Sequence, residues 1–403
     1  MRRFRARTPL PPGFGTIWLA VAIDLIGFGI VLPILPIYAR RFHTTAFQAT
    51  LLVAAFSAAS LICSPIWGRI SDRFGRRPVL LVSLAGTAVG SLLTGLAGGL
   101  AVLLIGRIID GASGASVSVA QAAASDLARP AARPRLFGLL GAAFGVGFVA
   151  GPALGALAAL SGPRLPFFLA AGLATVNTLV ALRRLPETRP PGLHPSPHRP
   201  GSLAALVGGR GVLPLLGVAF CALAAFSGFE ATFALFGQQH LGLGIASAAA
   251  VFTAVGAVLV VVQAGLVQPV VTRLGERQTL VSGLLANAAG LIVLADARSW
   301  ARAGPALLLL TVGQGLVQTT MATVLVGRSD PGARGRALGA QQSAGGLARV
   351  VGPVVAGALL GAGASAAPYL LGAALMLVAA SLVVGLVRRS PDSRNHRSDV
   401  TLE

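Results

Sequence analysis

Five ionisable side chains interrupt long apolar runs of this sequence: Asp24, Arg107, Asp110, Glu230 and Arg349. A carboxylate kept from bulk water can hold a proton near neutral pH and release it when its access or a nearby cation changes. A charge near the centre of a membrane helix costs roughly 2.5–3.5 kcal/mol on insertion scales. We therefore expect these side chains to face protein or water, and we expect them to couple protons or bind a substrate.

Arg107 and Asp110 are three residues apart in "LLIGRIIDGASGA". Residues at this spacing lie on one face of a helix, so the two charges can pair. A purely structural ion pair is the alternative interpretation.

Glu230 has aromatic neighbours at helical spacing, with Phe226 four residues before it and Phe233 three after. Both phenyl rings would lie on roughly the same face as the carboxylate and could line a cavity beside it. Contact with lipid or core packing explains the rings equally well.

Four glutamines in the last third of the chain are further candidates for lining a polar cavity: Gln314, Gln318, Gln341 and Gln342. Gln314 and Gln318 are one helical turn apart. Glutamine also ties neighbouring helices together by hydrogen bonds, so both interpretations stay open.

The elements that carry these residues are predicted to be membrane helices. The chain has 403 residues, of which 55% are hydrophobic and 11% charged, and this composition is typical of a membrane protein rather than a soluble enzyme. Apolar runs near the roughly 20 residues that a helix needs to cross a bilayer recur twelve times. They are too long and too uniformly apolar for barrel strands. The predicted spans are 16–38, 47–67, 79–98, 100–124, 136–160, 165–184, 212–237, 246–271, 279–297, 304–326, 337–361 and 367–388.

The placement of the arginines predicts the orientation. All 32 basic residues are arginine; with the N-terminus inside, 25 fall in cytoplasmic segments and five in outer loops. This asymmetry is the positive-inside pattern, and it predicts that both termini are cytoplasmic. It also explains the net charge of +20 without a nucleic-acid partner, since nucleic-acid binding needs a basic patch on one folded face.

A long polar break, Arg183 to Ser202, divides the twelve spans six and six, and the two sides repeat each other. When "RLFGLLGAAFGVGFVAGP" is laid on "RALGAQQSAGGLARVVGP", seven of eighteen positions match. Paired six-helix repeats around a midplane site are typical of secondary transporters. The predicted fold is all-α, with two pseudo-symmetric bundles at 1–184 and 212–388, a cytoplasmic linker at 185–211 and a cytoplasmic tail at 389–403.

An enzyme within the membrane is not indicated. The five histidines lie in loops, at span ends or in the tail, and the sequence contains no G-x-S-x-G, H-E-x-x-H or nucleotide-binding P-loop. The two cysteines fall in spans of opposite halves, which makes a disulfide framework improbable. We expect no catalytic residue, metal or cofactor.

The loop "GRISDRFGRRP" after the second span gathers five charges into eleven residues. Its arginines suit the C-terminal end of a helix on the cytoplasmic side, and a glycine permits a tight turn. A carboxylate just past a helix C-terminus is misplaced unless another group attracts it. The loop's candidate gating residues are Gly68, Asp72, Arg73, Gly75, Arg76 and Arg77.

The fifth span, "GAAFGVGFVAGPALGAL", carries glycines at intervals of four around a proline. Such spacing makes a flat strip for close helix contact, and the proline disturbs the helix. The residues concerned are Gly147, Gly151, Pro152 and Gly155.

Together these motifs resemble the major facilitator superfamily, because G-x-x-S-D-R-x-G-R-R-P between helices 2 and 3 looks like its signature loop. That resemblance implies that Asp72 reaches the start of helix 11 in the outward-facing state, with Arg334 and Arg336 as candidate partners. "GRIIDGASGA" resembles the second family motif, whose arginine is associated with proton handling. The helix 5 pattern is similar to the motif of the family's antiporters, which favours export.

Within this family, residues 68 to 157 look especially like the tetracycline exporters, where an acidic residue on helix 1, here Asp24, takes part in coupling or substrate binding. Those exporters also carry an acidic residue on helix 3 after "SLAG", but this chain reads Thr87 to Ser91 there, without a carboxylate. The resemblance therefore implies a monomeric proton-coupled drug exporter of the inner (plasma) membrane whose substrate is another small hydrophobic or cationic compound. Import or uniport of a small nutrient by the same fold is the alternative.

Overall fold

The computed structural model describes residues 10–128, 132–189, 212–329 and 333–388. Most of the predicted linker, the predicted tail and residues 1–9 lie outside this range. The described chain contains twelve helices long and apolar enough to cross a membrane, which confirms the predicted number. In chain order, α1 to α12 span Phe14–Val31, Ala46–Phe74, Arg76–Leu96, Leu100–Leu127, Arg135–Leu160, Leu165–Arg184, Val212–His240, Ile245–Leu274, Glu276–Ala295, Trp300–Gly327, Arg334–Gly361 and Ala367–Leu386.

Three predicted spans are not uniform α-helices. The first ends at Val31 and is followed by a separate short helix, Leu35–Ala39, because Pro33 and Pro36 interrupt the run. Within α4 the helix stops at Ala112 and resumes at Ser116, across a Ser-Gly-Ala turn. Within α8, Val262–Leu266 form a π-helical turn. The expected disturbance at Pro152 is not seen as a break, since one helix runs from Arg133 to Leu160.

Glycines set the closest helix contacts in both halves. A Cβ at Gly151 of α5 would come within 2.7 Å of the Gly29 Cα of α1, and one at Gly147 within 2.8 Å of the Leu25 backbone. In the second half, a Cβ at Gly352 of α11 would lie 2.4 Å from the Ala224 carbonyl of α7. Backbone contact of this kind is possible only with small residues.

The two halves meet through α2 against α11 and α5 against α8. Near the ends of these helices remote from most arginines, a shared apolar core joins residues of both halves, including Ile34 and Tyr38 with Leu235 and Leu360. At the arginine-rich end the first half has its own core, and the buried residues described there include none from the second half. The interface is therefore closed at one end and divided at the other.

Candidate functional site

Asp24 lies on α1 at the middle of the first bundle. Its Oδ2 accepts a hydrogen bond of 2.5 Å from the Ser116 hydroxyl, just after the break in α4. Its Oδ1 is buried and accepts no hydrogen bond of good geometry from the described residues, although the Thr87 side chain of α3 also interacts with this carboxylate. One oxygen is thus held by Ser116, while the other is enclosed by protein and could carry a proton.

Arg107 and Asp110 form the ion pair that their spacing predicts, and both side chains are almost completely buried. Two neighbouring helices enclose the pair. A Cβ at Gly90 of α3 would lie 2.7 Å from the Asp110 Cβ, and the Phe56 ring of α2 lies 5.1 Å from the Arg107 guanidinium carbon. The protein thus buries both charges by pairing them and stacking the cation on an aromatic face.

A cavity of about 20 Å³ lies beside this pair and is lined by Arg107, Phe28 and Phe56, with Ser57 and three apolar residues. The two phenyl rings pack with their centroids 5.2 Å apart. The cavity has room for little more than one water molecule. The first half therefore places a cation and two aromatic rings around one small cavity, and the Asp24 carboxylate lies one helical turn from Phe28 on α1.

Glu230 of α7 occupies the corresponding helix of the second half. Its Oε1 is buried without a hydrogen-bond partner among the described residues. Arg349 of α11 interacts with it electrostatically but lies beyond ion-pair distance, and its side chain is exposed. The structure thus brings together the two residues that the sequence predicted separately, without joining them as it joins Arg107 and Asp110.

The predicted cavity-lining residues fall into two groups. Phe226 and Phe233 lie in the core of the second half, where Phe229 packs against both rings and Phe252 packs edge-on against Phe233. Gln314 is buried and accepts a hydrogen bond from Asn287 of α9. These three side chains hold helices together in this conformation.

The remaining glutamines are more accessible. Gln318 is exposed and accepts a hydrogen bond of 3.0 Å from Gln263, at the π-helical turn of α8. Gln342 is exposed and Gln341 half-buried near the start of α11. These side chains can reach a solute at the arginine-rich end of the interface.

The signature loop is a compact charge cluster centred on Arg76. Its guanidinium donates to Asp72 at 2.6 Å, to the Ser71 hydroxyl at 2.7 Å and to Asp126, at the end of α4, at 2.9 Å. Asp72 is therefore paired within its own half. Arg334 and Arg336, its expected partners at the start of α11, are exposed, and neither forms an ion pair among the described residues.

The backbone of this loop is held by Glu187, which follows α6. Its carboxylate accepts hydrogen bonds from the N–H groups of Arg76, Arg77, Thr188 and Arg189. Partial burial opposes ionisation, but these four bonds outweigh it and lower the pKa of Glu187 below its ordinary value of 4.5. Gly75 is required here, because its φ is 105° and a Cβ would lie 2.4 Å from a Glu187 oxygen.

The other loop residues have simpler environments. The Arg73 guanidinium stacks over the adjacent Phe74 ring, and Arg77 donates to the Leu182 carbonyl at 2.7 Å. A Cβ at Gly68 would meet no atom within 4 Å. On the antiporter-like helix, Gly155 packs on Ile30 and Ile34 of the first half, and Pro152 packs on Gly29.

Sequence reasoning missed three polar residues of these sites. Ser116, Asp126 and Glu187 lie far along the chain from the groups that they contact, and each is an ordinary residue for its local segment. The signal for Asp126 and Glu187 was available, since unpaired acids on an arginine-rich side tend to find cations or helix N-termini. No signal marked Ser116.

Comparison with known proteins places the chain in a family. The family model described as Major Facilitator Superfamily matches residues 17–348 and, in a second match, 264–401. The tetracycline resistance protein, class C, of Escherichia coli is 32% identical over 369 residues, covering 89% of this chain and 93% of that protein.

Two further relatives extend the comparison. Multidrug resistance protein 2 of Bacillus subtilis (strain 168) is 30% identical over 275 residues, covering 66% of this chain and 69% of that protein. The crystal structure of the human organic anion transporter MFSD10 (TETRAN) matches with a TM-score of 0.69 at 26% identity, covering 93% of this chain and 100% of that chain.

Proposed function

Because the chain belongs to the major facilitator superfamily, we propose that it is a proton-coupled exporter of small hydrophobic or cationic compounds that works by alternating access. The observation that carries the proposal is the pair of carboxylates on α1 and α7. Asp24 and Glu230 each keep one buried oxygen without a hydrogen-bond partner among the described residues. An oxygen of that kind can take a proton or face a cationic solute, and the two ligands then compete for it.

The driving force is sufficient for useful export. One proton entering down a potential of 100 mV releases about 2.3 kcal/mol, which corresponds to a roughly 50-fold concentration ratio of an uncharged substrate. Asp110 is a weaker candidate for the proton, because its buried carboxylate already forms an ion pair with Arg107.

The relatives support a drug as the exported compound, since two carry tetracycline resistance and multidrug resistance in their names. The geometry of α3 argues for a compound other than a metal–tetracycline complex. The stretch Thr87 to Ser91 has no carboxylate, and its Gly90 packs so closely on α4 that a Cβ there would lie 2.7 Å from the Asp110 Cβ and 2.8 Å from the Gly106 carbonyl oxygen.

Alternating access would exchange the two ends of the interface. The described conformation is closed at the arginine-poor end and divided at the arginine-rich end. If the arginines lie in the cytoplasm, as the positive-inside pattern favours, this is the inward-open state. In the opposite state Asp72 would leave its contact with Arg76 for the start of α11. We place the protein in the inner membrane as a monomer with both termini cytoplasmic.

The test is the accumulation of a fluorescent cationic dye inside proteoliposomes on which a pH gradient is imposed. We expect Asp24→Asn and Glu230→Gln to fold but to lose gradient-driven accumulation, while Asp296→Asn, at an exposed carboxylate, transports normally. Full transport by both variants would overturn proton coupling through these carboxylates. Uptake of a nutrient in the opposite direction would instead support the importer or uniporter alternative.

A further inference from the structure

A second cavity, of about 200 Å³, lies at the arginine-rich end of the second half, away from the carboxylates of the transport proposal. Helices α7, α9, α10 and α12 enclose it. Its inner wall is apolar, formed by Leu215, Val324, Val383 and Leu386, and its mouth is charged, formed by Glu276, Arg277 and Arg328. The cavity is therefore amphipathic, since buried apolar side chains such as Leu215 and Val383 and the more exposed charges of Glu276, Arg277 and Arg328 line it together.

The corresponding place in the first half is filled by the protein itself. Gly75 and Gly275 precede α3 and α9, and both have a positive φ, 105° and 80°, which supports the correspondence between the halves. In the first half Phe14, Ala128 and Leu185 are almost fully buried in one core where the second half has its cavity. These first-half residues are thus packed in a core, whereas the second-half residues named above line a cavity.

The charges around the two places also differ. Arg277 donates to the Val383 carbonyl at 2.9 Å, just as Arg77 donates to Leu182. Where the first half has Arg76, however, the second has Glu276, and the described residues include no carboxylate within 4.0 Å of Arg328.

Arg277 and Arg328 line the same cavity, and their like charges are close enough to interact. With one glutamate against two arginines, the mouth carries a net positive charge. In the first half, an anion of the chain itself lies at the corresponding loop: the Glu187 carboxylate accepts hydrogen bonds from the backbone N–H groups of Arg76 and Arg77. An anion between Arg277 and Arg328 would relieve the repulsion between their guanidinium groups.

We propose that this cavity binds a phosphate group, and that its preferred ligand is an anionic phospholipid, which contacts both the arginines and the apolar wall. Both guanidinium groups can donate to phosphate oxygens, and the four apolar side chains suit the glycerol and upper acyl carbons. Inorganic phosphate offers the same anionic oxygens but has nothing to cover the apolar wall. A phospholipid is therefore the ligand that contacts both the charged and the apolar residues of the cavity.

The experiment measures lipid retention by the purified full-length protein in detergent, using native mass spectrometry. The probes are phosphatidylglycerol, phosphatidylethanolamine and diacylglycerol with identical acyl chains, followed by competition with inorganic phosphate. We expect phosphatidylglycerol to be retained best and diacylglycerol least. Displacement by millimolar phosphate would identify free phosphate as the ligand source, and its absence would identify the lipid.

Four variants separate the site from adventitious lipid. Arg328→Gln should weaken phosphatidylglycerol retention about fivefold, as expected for one lost cation near a membrane surface. Glu276→Gln should strengthen it by removing a like charge. Leu215→Phe, which adds the ring that the first half has at Phe14, should weaken it by filling the cavity. Arg302→Gln, at an exposed ion pair, should leave it unchanged.

Equal retention by the wild-type protein, Arg328→Gln and Arg302→Gln would overturn the proposal. Since Arg328 is only half-buried, its variant is expected to fold even if Leu215→Phe does not. Retention is measured without transport, so failure here is distinguishable from failure of the proposed export.

Discussion

The two halves share a helix arrangement but distribute their charges differently. In the first half the ionised side chains are joined: Arg107 pairs with Asp110, and Arg76 pairs with both Asp72 and Asp126. In the described part of the second half, Glu230 and Arg349 interact only at a distance, and the one ion pair, between Arg302 and Asp296, is exposed. Apart from Asp24, the first half thus joins these charges to one another, whereas the second half leaves Glu230 and Arg349 apart.

This difference shows what a repeat preserves. Gly75 and Gly275 keep the same backbone turn, and Arg77 and Arg277 keep the same bond to the last helix of their half. Glu276 and Thr272 stand where the first half has Arg76 and Asp72. Backbone geometry is shared because it depends on a few glycines and close contacts, while surface and cavity charges can diverge without changing the fold.

The largest effect is expected from breaking the buried pair of the first half. Asp110→Asn leaves the Arg107 cation buried without its counter-charge, and loss of one partner of such a pair costs about 3–5 kcal/mol. Thermal unfolding in detergent should show a strong decrease in stability. Glu230→Gln, which breaks no direct ion pair, should cost much less.

A matched control is Arg302→Gln, which removes an exposed pair worth at most about 1 kcal/mol. If Asp110→Asn were no more destabilising than Arg302→Gln, the contrast between the two halves would be wrong.

An intermediate effect is expected from Glu187→Gln, because the carboxylate holds the start of α3 in the first half. Losing a capping interaction of this kind costs about 1 kcal/mol at pH 7. The pKa of Glu187 is lowered in the folded protein, so its stabilisation is present above pH 4.5 and is lost as the pH falls through the folded value. Unfolding measured between pH 3 and 7 should therefore show the wild type and the variant converging at acid pH.

Asp296→Asn, at an exposed carboxylate, serves as the control. A difference between the wild type and Glu187→Gln that persisted unchanged at pH 3 would contradict the charge-dependent role of Glu187.

The smallest effect on stability is expected from Asp72→Thr, which gives the first half the residue of the second. Asp72 is partly exposed, and its pair with Arg76 is worth less than about 1 kcal/mol. If Asp72 also engages α11 in the opposite state, transport should slow even though folding is intact. The efflux rate and the free energy of unfolding are both measured for the wild type and for Asp72→Thr.

Asp126→Asn distinguishes the two roles of Asp72, because it removes the other partner of Arg76 without touching a group directed at α11. If Asp72→Thr and Asp126→Asn slowed transport equally, Asp72 would act only through its pair with Arg76 and not through contact with α11.

Sequence patterns predicted the twelve helices well because membrane insertion imposes length and hydropathy on every span. They missed the interruptions after Val31 and at Ser113–Ala115, since a local run of apolar residues does not show where neighbouring backbones meet. The i, i+3 pair of Arg107 and Asp110 was predictable because a single helix fixes it. The contact of Asp24 with Ser116 was not, because it depends on how two separate helices pack.

The sequence by itself determined the membrane class, the number of helices, the repeat and the intramembrane charges, because hydropathy and spacing are local properties of the chain. Tertiary structure decided which of those charges are joined, placed Phe226 and Phe233 in the core, and left a cavity at one end of the second half. These outcomes depend on contacts between segments distant in sequence. A pairing or a cavity exists only once the helices are packed.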